Sequence, residues 1–272
     1  MKKSEKDKKI EEILKPGKEA LLKTYEELLI RKEQIVKDGE AYRISYIKEF
    51  GELTAEVFKA KIECIRLKKS IAYCQKALNR GKKINAKTME SNIEKEMASY
   101  YAQLKSILRE NKLAFESKKT NPFDYNLAKK IYRRLAKKLH PDINKLTEKE
   151  PKLLDLWNKI MDAYYMNDAE RLEELEVLVN AAFKELGIDE IEVDIRDLED
   201  RIKALEIKIG LMVNDIPYAY GDLLDDEEKV EAKKEEMTKE LNEYKEYALQ
   251  LEEILADLMM EGGATVQWQT KL

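Results

Sequence analysis

The sequence predicts an all-α protein in which long helices pack side by side. Three observations carry that expectation. Charged residues make up 39% of the 272, against 9 Gly and 5 Pro, so few breakers interrupt the chain and long helices with apolar seams are favoured. Several stretches repeat apolar residues at alternating steps of four and three, the heptad spacing of helices packed knobs-into-holes. No segment shows strand-like alternation over a convincing length. Helix is therefore expected above about 70% of residues, well over the usual third.

Taken in order, residues 1–17 form a charged lead-in closed by Pro16-Gly17. Residues 18–120 form a first long-helix hairpin. Its opening helix carries Leu21, Leu22, Tyr25, Leu28, Leu29 and Ile35 on one side, with Asp38-Gly39 as a kink or an end. The seam then becomes regular through Tyr46, Phe50, Leu53, Val57, Ala60, Cys64, Leu67, Ile71, Cys74 and Leu78. Asn79-Arg80-Gly81 supplies a left-handed stop. A helix from about Lys87 to Lys118, with Ile93, Met97, Tyr100, Leu104, Ile107 and Asn111 on the same spacing, folds back antiparallel because the connection is short.

Residues 121–187 form a compact unit. Leu127, Ile131, Leu135 and Leu139 recur every fourth residue, and Ala128, Tyr132 and Ala136 widen the stripe into one buried face. The opposite side carries Lys129, Lys130, Arg133, Arg134, Lys137 and Lys138 and no acid. His140, the single histidine, follows at once with Pro141 and Asp142. After a polar loop, Thr147 and Glu150 have capping-box spacing, and Pro151 suits a first helical turn. A second helix then repeats Leu153, Leu156 or Trp157, Ile160 and Tyr164. The two pack antiparallel, with His140 to Asp142 accessible at the exposed tip. Asn167-Asp168 caps a further helix to Leu186, ended by Gly187.

Residues 188–261 form a second hairpin. Ile195, Leu198, Ile202, Leu205, Ile209 and Met212 make one seam, and a loop from Asn214 to Leu224 joins it to the other. That one runs through Val230, Met237, Leu241, Tyr244, Ala248, Leu251, Leu255 and Leu258. Residues 262–272 are a polar tail released by Gly262-Gly263.

Several function classes are disfavoured. A net charge of −4 gives no global attraction to nucleic acid. No apolar run approaches the roughly 20 residues that span a bilayer, and the N-terminal MKKSEKDKKIEEILK lacks a signal peptide's apolar core, so a cytoplasmic protein without a membrane partner is expected. Cys64 and Cys74 lie ten residues apart in one helix, or ~15 Å along its axis, beyond the ~7 Å that a disulfide allows. They are buried small hydrophobes, without the company of metal ligands. One histidine cannot build a His-based metal cluster, and nothing beside it forms a nucleophilic triad. No Gly-rich loop cradles phosphates, so no nucleotide or other cofactor is expected and the protein is not expected to be an enzyme. The basic helix face has three readings: a solvated face, a phosphate-binding surface, or a docking surface for an acidic protein. The last is favoured. Six like charges within ten residues repel each other, which a neutralising partner would offset. The aromatics lie on the apolar stripe, away from any base.

The run YRRLAKKLHPD, with Trp157, Ile160, Ala163 and Tyr164 behind it, resembles the J-domain of DnaJ-type co-chaperones over roughly forty residues, Leu127 to Tyr165. Asn144 also matches that family, whereas Ile143 stands where it usually has lysine. The family's Tyr-x-x-Leu-Gly helix start is missing from Glu116 to Tyr125, and no Gly/Phe-rich linker or Cys-x-x-Cys repeat follows. The resemblance implies a J-domain-like hairpin flanked by coiled-coil arms. It implies docking on a DnaK-type chaperone ATPase through Lys130, Arg133, Arg134, Lys137 and Lys138, and stimulation of ATP hydrolysis through His140, Pro141 and Asp142. The arms would grip a client, tether the protein or self-associate. The alternative is a structural coiled-coil protein in which the J-like hairpin survives only as a packing module.

Overall fold

A computed structural model describes residues 5–117, 121–188 and 197–263. The chain is 86% helical, with nine helices and no strand among the described residues, so the fold is all-α. The helices are α1 (Glu5–Leu78), α2 (Ala86–Glu116), α3 (Pro122–Leu139), α4 (Lys145–Lys149), α5 (Pro151–Tyr165), α6 (Ala169–Glu185), α7 (Leu198–Val213), α8 (Tyr220–Leu224) and α9 (Glu227–Glu261).

Their ends are set by local chemistry. The side chains of Asn85, Asn121, Asp168 and Asp226 each accept a backbone N–H in the first turn of α2, α3, α6 and α9. Gly81, at φ +63°, provides the left-handed stop after α1. Upstream the expected breaks do not occur, because α1 begins at Glu5 and continues through Pro16-Gly17 and Asp38-Gly39. Gly39 serves close approach instead: a Cβ there would meet Pro217 Cγ at 3.3 Å.

The chain divides into two compact units, each discontinuous in sequence. One comprises Met1–Ala41 and Lys118–Ala219, the other Tyr42–Ser117 and Tyr220–Leu272. This grouping departs from the linear series of domains expected from the sequence.

In the second unit, α1 and α2 are antiparallel. Cys74 meets Met89, and Lys69, earlier in α1, pairs with Glu96, later in α2. The third partner is α9, which follows α1 in the same direction: Phe50 and Val57 bury with Met237 and Leu241, and Cys74 lies by Met259. Cys64 and Cys74 are free and buried, and burial pushes both thiols up.

In the first unit, α7 packs along α1, burying Leu198 and Ile202 with Tyr25 and Leu29. The expected hairpin of α7 with α9 is therefore corrected: the two helices belong to different units, each matching its stripe to a segment of α1. Ile195, assigned to that seam from the sequence, lies outside the described residues.

Candidate partner-docking site

Three helices of the first unit frame the His-Pro-Asp turn. The buried stripes of α3 (Ile131, Tyr132, Leu135, Leu139) and α5 (Leu153, Trp157, Ile160, Tyr164) close against Leu172, Leu175 and Val179 of α6. Ile30 of α1 joins the same cluster. Every apolar position assigned to α3 from the sequence is buried, apart from the partly covered Leu127.

The turn departs from the expected open tip at His140. The imidazole is only 6% exposed and sits edge-on against Trp157, with ring centroids 5.1 Å apart. Its Nδ1 accepts the backbone N–H of Asp142 at 3.1 Å, which requires that nitrogen to be unprotonated. Burial is also the main cause that holds the ring below the ordinary histidine value, against the pull of Asp142. The 3.9 Å approach of Nδ1 to the Asp142 carboxylate is therefore a contact of a neutral ring. The Asp142 carboxylate itself stays open, with 42% of its side chain exposed, and Pro141 is half-buried.

Beyond it, Asn144 fastens the loop. Its side chain donates to the Lys138 carbonyl at 2.9 Å and accepts from the Leu146 N–H at 3.0 Å, capping α4. The Thr147–Glu150 capping box is not formed: Thr147 is buried within α4, its hydroxyl without a partner, while Pro151 opens α5 as expected. Ile143 buries against Tyr25, Leu29, Leu198 and Ile202, which explains an apolar residue at that position.

The basic face is divided. Arg134 makes a two-pronged bond to Glu176 of α6 at 2.8 and 2.6 Å, and that bond holds the Glu176 carboxyl below its ordinary range. Lys138 donates to Asn180 at 2.9 Å, and Lys137 lies 3.5 Å from Glu26 of α1. Lys129, Lys130 and Arg133 have no ion-pair partner among the described residues, and Lys130 and Arg133 are exposed.

At the end of the α3–α5 hairpin opposite the turn, α1 contributes a polar cluster. Gln34 accepts from the Tyr164 hydroxyl and donates to the Tyr125 hydroxyl, both at 2.6 Å, and Tyr125 donates to Asp38 at 2.6 Å. Beside them Lys37, only 5% exposed, places its ammonium 3.8 Å over the Tyr164 ring without a hydrogen-bond partner. Burial lowers its pKa to about 8, with Asp38 opposing and Lys129 assisting. Tyr132 stacks on Tyr164 at 3.9 Å with its own hydroxyl unpartnered.

Sequence reasoning placed His140 to Asp142 together at the end of the basic helix, and they are together. It missed Gln34, Lys37, Glu176 and Asn180. Ile30, Gln34 and Lys37 do recur at steps of four and three, a signal masked by two polar members. Among the described residues, no group of His, Cys, Asp or Glu is placed to hold a metal ion, and no helix is long and apolar enough to cross a membrane. No family model, curated protein or solved structure matches the chain.

Proposed function

We propose that the chain is a J-domain-like co-chaperone, acting in the cytoplasm, that docks on a DnaK-type chaperone ATPase and stimulates ATP hydrolysis. One observation carries this reading. His140 is anchored on Trp157 and bonded to the Asp142 N–H, so the turn is held while the Asp142 carboxylate remains free. A turn needed only for packing would have no use for a charge held open at its apex. Pro141 stiffens the same turn. The helix leading into it brings exposed cations that steer an acidic partner. The bundle of α1, α2 and α9 is left to hold a client, tether the protein or self-associate.

A structural reading competes on a specific ground. Arg134, Lys137 and Lys138 already meet Glu176, Glu26 and Asn180, as they would on a helix kept only for packing. Single-turnover ATP hydrolysis by the cognate DnaK-type chaperone, with and without this protein, separates the two. Stimulation by the wild type, lost in Asp142→Asn at a stability unchanged to within about 0.5 kcal/mol, supports the co-chaperone. Absence of stimulation by the wild type leaves the structural reading.

A further inference from the structure

The cations of α3 that find no partner do not face open solvent alone. Lys129 and Arg133 line one wall of a groove of about 330 Å³, and α1 forms the other wall with Arg31 and Glu27. Half-buried Leu28 and buried Ile30 give it an apolar floor. Arg31 is exposed and, like Lys129 and Arg133, has no ion-pair partner among the described residues. Three cations therefore converge on one small apolar-floored cleft holding a single carboxylate. The chain carries 55 acidic residues to 51 basic ones, and it answers the neighbouring Arg134 and Lys137 with its own acids. Here it leaves the charge unanswered.

The geometry points to this α1–α3 groove as the docking site for an acidic, partly apolar segment of the chaperone partner, with Arg31 as a binding residue supplied by a helix outside the His-Pro-Asp hairpin. The inference rests on the co-chaperone reading and deepens it, by assigning docking to the unanswered half of the basic face. Charge complementarity selects the occupant. Two arginines and a lysine suit carboxylates, with guanidinium forks able to bind them bidentately. Leu28 suits an apolar side chain between those carboxylates. A nucleic-acid strand fits worse, because no aromatic lines the cleft and Tyr132 lies fully buried.

Affinity of the full-length protein for the cognate DnaK-type chaperone, measured with ATP present, tests this. Arg31→Glu is expected to raise Kd by about tenfold or more at low salt, since like charge would then meet like. The loss should shrink at about 500 mM salt, where exposed charges are screened. Arg31→Lys should retain most of the affinity. Lys87→Glu, the same charge reversal at an exposed position of α2 in the other unit, should change Kd by less than about threefold. Far-UV circular dichroism checks that each variant folds. If Arg31→Glu binds as the wild type does while Asp142→Asn loses stimulation, the groove assignment falls and the co-chaperone reading stands. If the wild type neither binds nor stimulates, both fall. Arg31-dependent binding of a single-stranded RNA 20-mer, tighter than that of the chaperone, would also overturn the assignment.

Discussion

The two units bury different chemistry. Where α1, α2 and α9 meet near Gly81 the core is aliphatic and sulfur-rich, with Ile62, Leu67, Cys74, Met89, Met97, Leu251, Leu255 and Met259, and Phe50 is buried further along the bundle. In the unit that carries the His-Pro-Asp turn the core is aromatic and polar, with Tyr132 stacked on Tyr164, His140 against Trp157, and Gln34 and Lys37 buried beside Tyr164. The buried amide of the bundle, Asn111, donates to the Gly51 carbonyl at 2.6 Å. In the other unit the Lys37 ammonium and the Tyr132 hydroxyl are buried without partners. Burying polar groups without hydrogen bonds costs stability. The bundle is thus built for packing, whereas the unit with the turn carries costs that packing alone does not explain.

The largest expected effect tests whether the units behave separately. Leu135 is fully buried among α3, α5 and α6, and Leu135→Ala should cost about 2–5 kcal/mol by opening a cavity. Leu255→Ala, equally buried in the bundle, should cost a similar amount. Trp157 reports only on the first unit, so urea unfolding is followed by its fluorescence in a Trp268→Phe background. Leu135→Ala should move that transition and Leu255→Ala should not. Equal shifts would break the comparison, because the units would then unfold as one.

The legibility of the two units differs for the same physical reason. A heptad seam is written in apolar residues, so the α1–α2 hairpin, its Gly81 stop and the buried cysteines were readable from spacing alone. The face of α3 and the cap at Asp168 were readable too. Spacing does not say which helix a stripe meets. Leu198 and Ile202 matched a coiled-coil seam, but Tyr25 and Leu29 of α1 were the partners, and α7 left the expected hairpin. The burial of His140 was hidden because its neighbour on α5, Trp157, was assigned only to the helix stripe. The division of the basic face depended on α6 and α1, whose Glu176 and Glu26 look like ordinary surface acids.

Lys37 gives the next effect, of opposite sign. Its folded pKa of about 8 lies below the ordinary lysine value of 10.5, so the folded state disfavours the charged form. Between those values the unfolded chain binds more protons, and stability must rise with pH. Buried Tyr132 and Tyr164 have pKa values pushed up, so they remove stability above about pH 10, where unfolded tyrosines ionise. The Lys37 gain is therefore visible from about pH 8 to 10. Lys37→Met should stabilise the protein at pH 7, by on the order of 1–3 kcal/mol, and flatten that rise. The Trp157 transition measured across this range checks both. A destabilised Lys37→Met would mean that the ammonium's contact with the Tyr164 ring outweighs its desolvation.

The smallest effect concerns Asn111, the corresponding polar group of the bundle. Its amide donates to Gly51 at a point where α1 and α2 approach so closely that a Cβ on Gly51 would lie 2.5 Å from Asn111 Oδ1. Because the amide is satisfied, Asn111→Ala should destabilise the bundle, by about 1 kcal/mol, where removing the unsatisfied Lys37 stabilises its own unit. Gly51→Ala alone adds a better helix former, worth up to about 1 kcal/mol, but drives Asn111 out of position. The two substitutions share one contact and cannot be additive. In the double variant the shortened residue 111 clears the space for the new methyl, and the helix gain survives. The double variant should therefore be more stable than either single one, measured by far-UV circular dichroism in urea. Simple additivity would mean that the close approach of α1 and α2 does not depend on glycine, and that the buried Asn111–Gly51 contact does not help to set the register of the bundle.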